Sequence, residues 1–147
     1  MTYRFPLQKV LDLKEKEKQQ AQQELGLSLK KQQDIELEIN GWLQKREAVQ
    51  QNHQERKEFK VAELHEHQRY MEFLEQQILR LQRRLHLSSK EVEKRQTVLM
   101  EKSKDEKVWQ QWKQNQFVEF RQQQLKQEQE MLDELATTRY FRQQKMQ

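Results

Sequence analysis

The chain has 147 residues, of which 33% are hydrophobic and 35% charged, with two glycines, one proline and no cysteine. So little apolar material cannot fill a spherical interior, so few turn formers cannot fold the chain back often, and without cysteine there is no disulfide or thiolate chemistry. The 28 basic residues face 24 acidic ones, for a formal net charge of +4, and the signs interleave: Lys14, Lys16, Lys18, Lys30 and Lys31 lie among Asp12, Glu15, Glu17 and Glu24. No segregated cationic face therefore marks a nucleic-acid partner.

Glutamine supplies roughly a further fifth of the chain. Abundant Glu, Lys, Gln, Arg and Leu with almost no helix breakers is the composition of long helices, although low hydrophobicity with high charge also describes disorder. The longest apolar run is three residues, Val98 to Met100. That excludes direct membrane insertion by a helix, and the start lacks a signal-peptide core, so the expectation is a soluble cytosolic protein.

In chain order, Pro6 is the first signal. Proline suits the first turn of a helix, where its missing N–H has no partner to lose, so helix one should begin near residues 3 to 6. From Leu7, steps of four and three give Leu7, Leu11, Lys14, Lys18, Ala21, Leu25, Ser28, Gln32, Ile35, Ile39, Trp42, Arg46 and Val49. This is a continuous but dilute coiled-coil seam. Asn40-Gly41 reads locally as a turn, but the periodicity crosses it unbroken, so Gly41, like Gly26, is expected inside the helix.

Between Gln50 and Val61 the pattern dissolves and returns in a new phase, which places the bend at about 57–62, with Phe59 at the tip. Helix two then shows Leu64, His67, Met71, Leu74, Ile78, Leu81, Leu85, Ser88, Val92, Arg95 and Leu99 at steps of three and four. A phase held this long argues against disorder. It weakens after Leu99 and reappears as Val108, Trp109, Trp112, Phe117 and Phe120, then Met131, Leu132 and Leu135.

Folded at residue 59, the chain should pair residues whose numbers sum to roughly 118, as in a hairpin with straight arms. Leu25 then meets Val92, Ile35 meets Leu81 and Leu85, Trp42 meets Leu74 and Ile78, and Leu11 meets Val108. Phe5 and Leu7 meet Trp109 and Trp112. The expected fold is all-α: one antiparallel two-helix coiled-coil hairpin over 1–147, with helix one at about 4–57 and a longer helix two at about 62–145. The first arm would be roughly 80 Å long and the second roughly 125 Å. The excess would leave an apolar stripe of Phe120, Met131, Leu132, Leu135, Tyr140 and Phe141 uncovered, a surface that calls for a partner.

Such a hairpin has no pocket for catalysis, and the sequence has no Gly-rich phosphate loop, no nucleophile setting and no helical HExxH. An enzyme, a cofactor and a metal site are all unexpected. His65 and His67 are two residues apart and so diverge around a helix; His67 fits the seam near the bend. Trp109 and Trp112 are expected to close the seam against Phe5 and Leu7. Tyr70 and Phe73 flank seam residues and widen the apolar face, which suits an interface.

The opening Met1 to Glu15 (MTYRFPLQKVLDLKE), then Glu17-Lys18, Ala21 and Glu24-Leu25, resembles the start of the flagellar export protein FliJ family. Glu63-Leu64 followed by Gln68-Arg69-Tyr70-Met71-Glu72-Phe73-Leu74 resembles that family's segment after the bend. The resemblance implies a non-enzymatic component of the flagellar type III export apparatus, acting as a stalk in the export ATPase ring. It implies binding to the export ATPase and its regulator, to the cytoplasmic domain of the export gate and to export chaperones, at the inner face of the cell membrane. The family's gate contacts fall on Tyr70, Leu74, Gln77 and Leu81, with glutamine at 77 where relatives carry a small residue and leucine at 81 where histidine can occur. The ring contacts fall on the rod ends, Phe5, Leu7, Leu11, Trp109 and Trp112. The alternatives are a coiled-coil spacer or scaffold that self-associates through residues 120–147, and the analogous stalk of a virulence type III secretion system. A stalk should be mostly monomeric.

Overall fold

A computed structural model describes residues 2–146. It contains two helices, α1 (Gln8–Glu55) and α2 (Val61–Met146), joined by residues 56–60 and packed as an antiparallel hairpin in which α2 is the longer. Helix α1 starts two residues after Pro6, once Gln8 N–H donates to the Phe5 carbonyl at 3.1 Å and Leu11 N–H to that of Leu7 at 3.2 Å. Tyr3 and Phe5 thus lie in a non-helical lead-in, where their side chains lie against α2.

The chain divides into two compact units: Gln19–Glu101, and Met1–Lys18 with Lys102–Gln147. In the first, Ile35, Ile39 and Leu81 form a buried cluster against which Trp42, Leu43 and Leu85 pack. Leu74 is completely buried. The side-chain cluster is one layer thick, as expected where two helices meet along a single seam. Polar seam positions are paired across it. Arg95 Nη1 donates to Glu24 Oε2 at 2.8 Å, and Gln32 Nε2 donates to Ser89 Oγ at 3.0 Å. Ser28, also buried, turns its hydroxyl back to the Glu24 carbonyl at 3.0 Å.

Every helix-one seam position expected from the heptad spacing is buried or half-buried, as are those of helix two except Leu64, which is 43% exposed. The expectation fails beyond Leu99. Val108 is 66% exposed and does not face Leu11. The three–four step instead continues through Lys102, Glu106, Trp109, Lys113 and Gln116 to Phe120, all buried or half-buried. Ion pairs replace apolar contacts: Lys14 Nζ lies 2.8 Å from Asp105, Lys18 Nζ 3.0 Å from Glu106 and Lys102 Nζ 3.3 Å from Glu17. Glu106 is 7% exposed, so its partner Lys18 matters more than an ordinary surface cation.

Gly26 and Gly41 both lie within α1, and neither has a positive φ. A Cβ at either would meet nothing within 4 Å. Nothing inside the hairpin requires glycine there, so Gly41→Ala should stabilise it by about 0.5–1 kcal/mol through helix propensity alone. Urea unfolding followed by circular dichroism measures this, and a lower midpoint would contradict it.

Candidate partner-binding surfaces

Three surfaces carry the residues singled out by sequence. The first lies at the start of α2. Tyr70 and Phe73 are 43% and 46% exposed, their ring centroids 6.5 Å apart. Phe73 meets Trp42 of α1 edge-on at 6.1 Å, and Lys45 Nζ sits 4.8 Å above the indole. Three- and four-residue spacing brings Tyr70, Phe73 and half-buried Gln77 to one side of the seam. Leu74 and Leu81 are different: at 0% and 6% exposure they are seam side chains, out of a partner's reach while the hairpin is closed. Of the four gate residues taken from the family resemblance, Tyr70 and Gln77 therefore offer surface, and Leu74 and Leu81 belong to the hairpin seam. Phe73 and Trp42 extend that surface, and the resemblance alone did not include them.

Nearby, the turn is fixed by rings rather than by glycine or proline. His53 stacks on His67 at 3.8 Å with planes 9° apart and meets Phe59 at 4.3 Å with the rings tilted by 34°. Arg56 pairs with Glu63 at 3.2 Å.

The second surface is aromatic and belongs to the unit containing both chain ends. Phe5, 7% exposed, meets Trp112 edge-on at 5.9 Å, and Trp112 meets Trp109 at 5.2 Å. The tryptophans thus close the seam against the N-terminal lead-in, although Trp112 keeps 42% of its surface exposed. Leu11 is buried and Leu7 half-buried. Tyr3 packs between Phe117 at 5.4 Å and Phe120 at 5.2 Å, so Phe120 is half-buried and does not belong to the uncovered stripe. An open groove of about 890 Å³ runs alongside, lined by residues that include Thr2, Tyr3, Leu11, Lys107, Lys113 and Phe117. In the same unit, the hydrogen bond to Asp105 holds the Lys14 ammonium above its ordinary pKa, with the Asp105 and Glu17 charges adding to it.

Tyr3 Oη is buried without a hydrogen-bond partner among the described residues. A buried unpaired hydroxyl costs about 1–3 kcal/mol. Tyr3→Phe should accordingly raise the unfolding free energy, by about 1 kcal/mol, as read from thermal denaturation; a fall would mean that the hydroxyl is satisfied in solution.

The third surface is the far end of α2. From Leu125 to Met146 every residue is exposed, including Leu125, Met131, Leu132, Leu135, Tyr140 and Phe141 at 56–63%.

Among the described residues no helix is long and apolar enough to cross a membrane, and no cluster of three or more His, Asp or Glu could hold a metal ion. The family model described as "Flagellar FliJ protein" matches residues 3–145, nearly the whole chain and all three surfaces. The chain belongs to the FliJ family. No curated protein and no solved structure gives a significant match. FliJ membership makes the chain a component of flagellar export that interacts with the export machinery. Exposed aromatic side chains present large apolar area at low entropic cost, which is the chemistry that suits a protein interface.

Proposed function

We propose that this FliJ-family chain is the stalk-like component of the flagellar type III export apparatus, seated in the ring of the export ATPase and touching the export gate. The observation that carries the reading is the family match over residues 3–145 to a chain that folds as a two-helix hairpin. The ring contact is assigned to the aromatic end that includes Phe5, Leu7, Leu11, Trp109 and Trp112. Its aromatic contacts, Phe5 on Trp112 and Trp112 on Trp109, tie the N-terminal lead-in to α2 and support this assignment. The gate contact is assigned to Tyr70 with Gln77, extended by Phe73, while Leu74 and Leu81 are buried in the seam of the same helix segment. Escort of export chaperones and residence at the inner face of the cell membrane, by association and not by insertion, complete the proposal.

The test is the ATP hydrolysis rate of the cognate flagellar export ATPase titrated with this protein. Stimulation that saturates well below one copy per ATPase subunit supports a stalk seated in a ring. No stimulation at any ratio rejects the stalk and leaves a binding-only escort or scaffold.

A further inference from the structure

The seam of α2 that packs against α1 runs through Glu106, Trp109, Lys113, Gln116 and Phe120. The half-buried face ends at Gln124, and every residue from Leu125 to Met146 is exposed. In this uncovered stretch a three–four series runs through Leu125, Glu128, Leu132, Leu135, Arg139 and Arg142. Every member of this series is exposed, so the hairpin itself leaves it uncovered.

The series is nearly a palindrome in chemistry. A two-fold axis between Asp133 and Glu134 brings Leu132 against Leu135 of a second copy, and Glu128 against Arg139 of that copy. The next layer out sets Leu125 beside the aliphatic stem of Arg142. Each pairing occurs twice by symmetry, and each joins an a position to a d position, as antiparallel coiled coils require. The flanking positions Gln129, Met131, Ala136 and Thr138 carry no charge that would oppose the approach. A parallel pairing would instead set Glu128 on Glu128 and Arg139 on Arg139, which like-charge repulsion disfavours. Both residues are exposed, and neither forms an ion pair among the described residues.

We infer that the α2 tail, residues 121–146, docks with the tail of a second copy of this chain as a short antiparallel coiled coil centred on Leu132 and Leu135 and oriented by Glu128–Arg139 pairs. Only two layers are fully apolar, so the dimer is weak and concentration-dependent, and it hides the stripe when no other partner covers it. A dimer this weak leaves the dilute chain mostly monomeric, as a stalk requires; the inference uses no export partner, so its failure is distinguishable from a failure to stimulate the ATPase.

Sedimentation equilibrium of the full-length protein over a concentration series tests it. The wild type should show a reversible monomer–dimer equilibrium. Glu128→Arg and Arg139→Glu should each raise the dissociation constant at least about tenfold by creating like-charge layers, with unchanged helix content by circular dichroism. An equimolar mixture of these two variants, or the double swap in one chain, should restore association. Orientation is read separately: with no native cysteine, a mixture of Leu132→Cys and Leu135→Cys chains should oxidise mainly to the mixed disulfide. A monomer at all concentrations, dimerisation untouched by either charge change, or dominance of the two like-with-like disulfides would overturn the proposal.

Discussion

Leu74→Ala is expected to lower the unfolding free energy by about 3 kcal/mol, within the usual range for emptying a buried leucine site. Leu74 is the one large side chain fully buried among the described residues. In a globule its loss would be buffered by neighbours from several directions, whereas here only two helices meet. The cavity therefore either stays open or admits water, and the lost transfer energy is not recovered by repacking. The consequence is large because the seam is dilute: Ser28, Gln32, Ser88 and Arg95 occupy positions that aliphatic side chains fill in a strong coiled coil. A chain of marginal stability loses a sizeable part of it at one substitution. Val108→Ala, at a site 66% exposed, should change stability by less than about 0.5 kcal/mol. Urea titrations of the two variants decide this; equal effects would mean that the two-helix packing around Leu74 does not persist in solution.

The same contrast marks how far the sequence could be read. Where one apolar residue recurs every three or four positions, as from Leu74 to Leu85, the phase alone fixes the covered face, and the structure buries or half-buries those residues. The hairpin itself follows from two such series separated by a phase change. Beyond Leu99 the same helix face continues with Lys102, Glu106 and Lys113, and a search for apolar residues slides off it onto Val108. Their burial comes from partners distant in sequence, Glu17 and Lys18 among them, and a charge carries no periodic mark that tells a seam lysine from a solvated one. Charge complementarity at the expected register would have found them: Lys14 with Asp105 and Glu17 with Lys102 lie one residue from it.

The candidate sites divide along the same line. The packing of Phe5 with Trp112 was legible, because register and aromatic character agreed. The contact of Tyr3 with Phe117 and Phe120 was not, because Tyr3 precedes the helix and obeys no helical spacing. Nor does a family resemblance distinguish a residue that touches a partner from one that holds the toucher in place. Tyr70 and Leu74 stand one turn apart, and only burial separates them: one is 43% exposed and the other not at all.

Tyr70→Ala therefore should weaken binding to the cytoplasmic domain of the export gate at least about tenfold, the scale of an exposed aromatic anchor, while leaving stability within about 0.5 kcal/mol of wild type. The phenol ring stands clear of the seam, so its removal opens no cavity and strips no core contact. Phe73→Ala should weaken binding as well, with a modest loss of stability because its ring also meets Trp42. Leu74→Ala should impair binding only in proportion to the fraction unfolded, so that cooling or a stabilising osmolyte restores it. Isothermal titration against the purified gate domain at two temperatures separates these patterns. A Tyr70→Ala chain that binds like wild type would move the gate contact off this surface. A Leu74→Ala chain that stays folded yet fails to bind would show that the hairpin opens on the gate, exposing its seam as the recognition face.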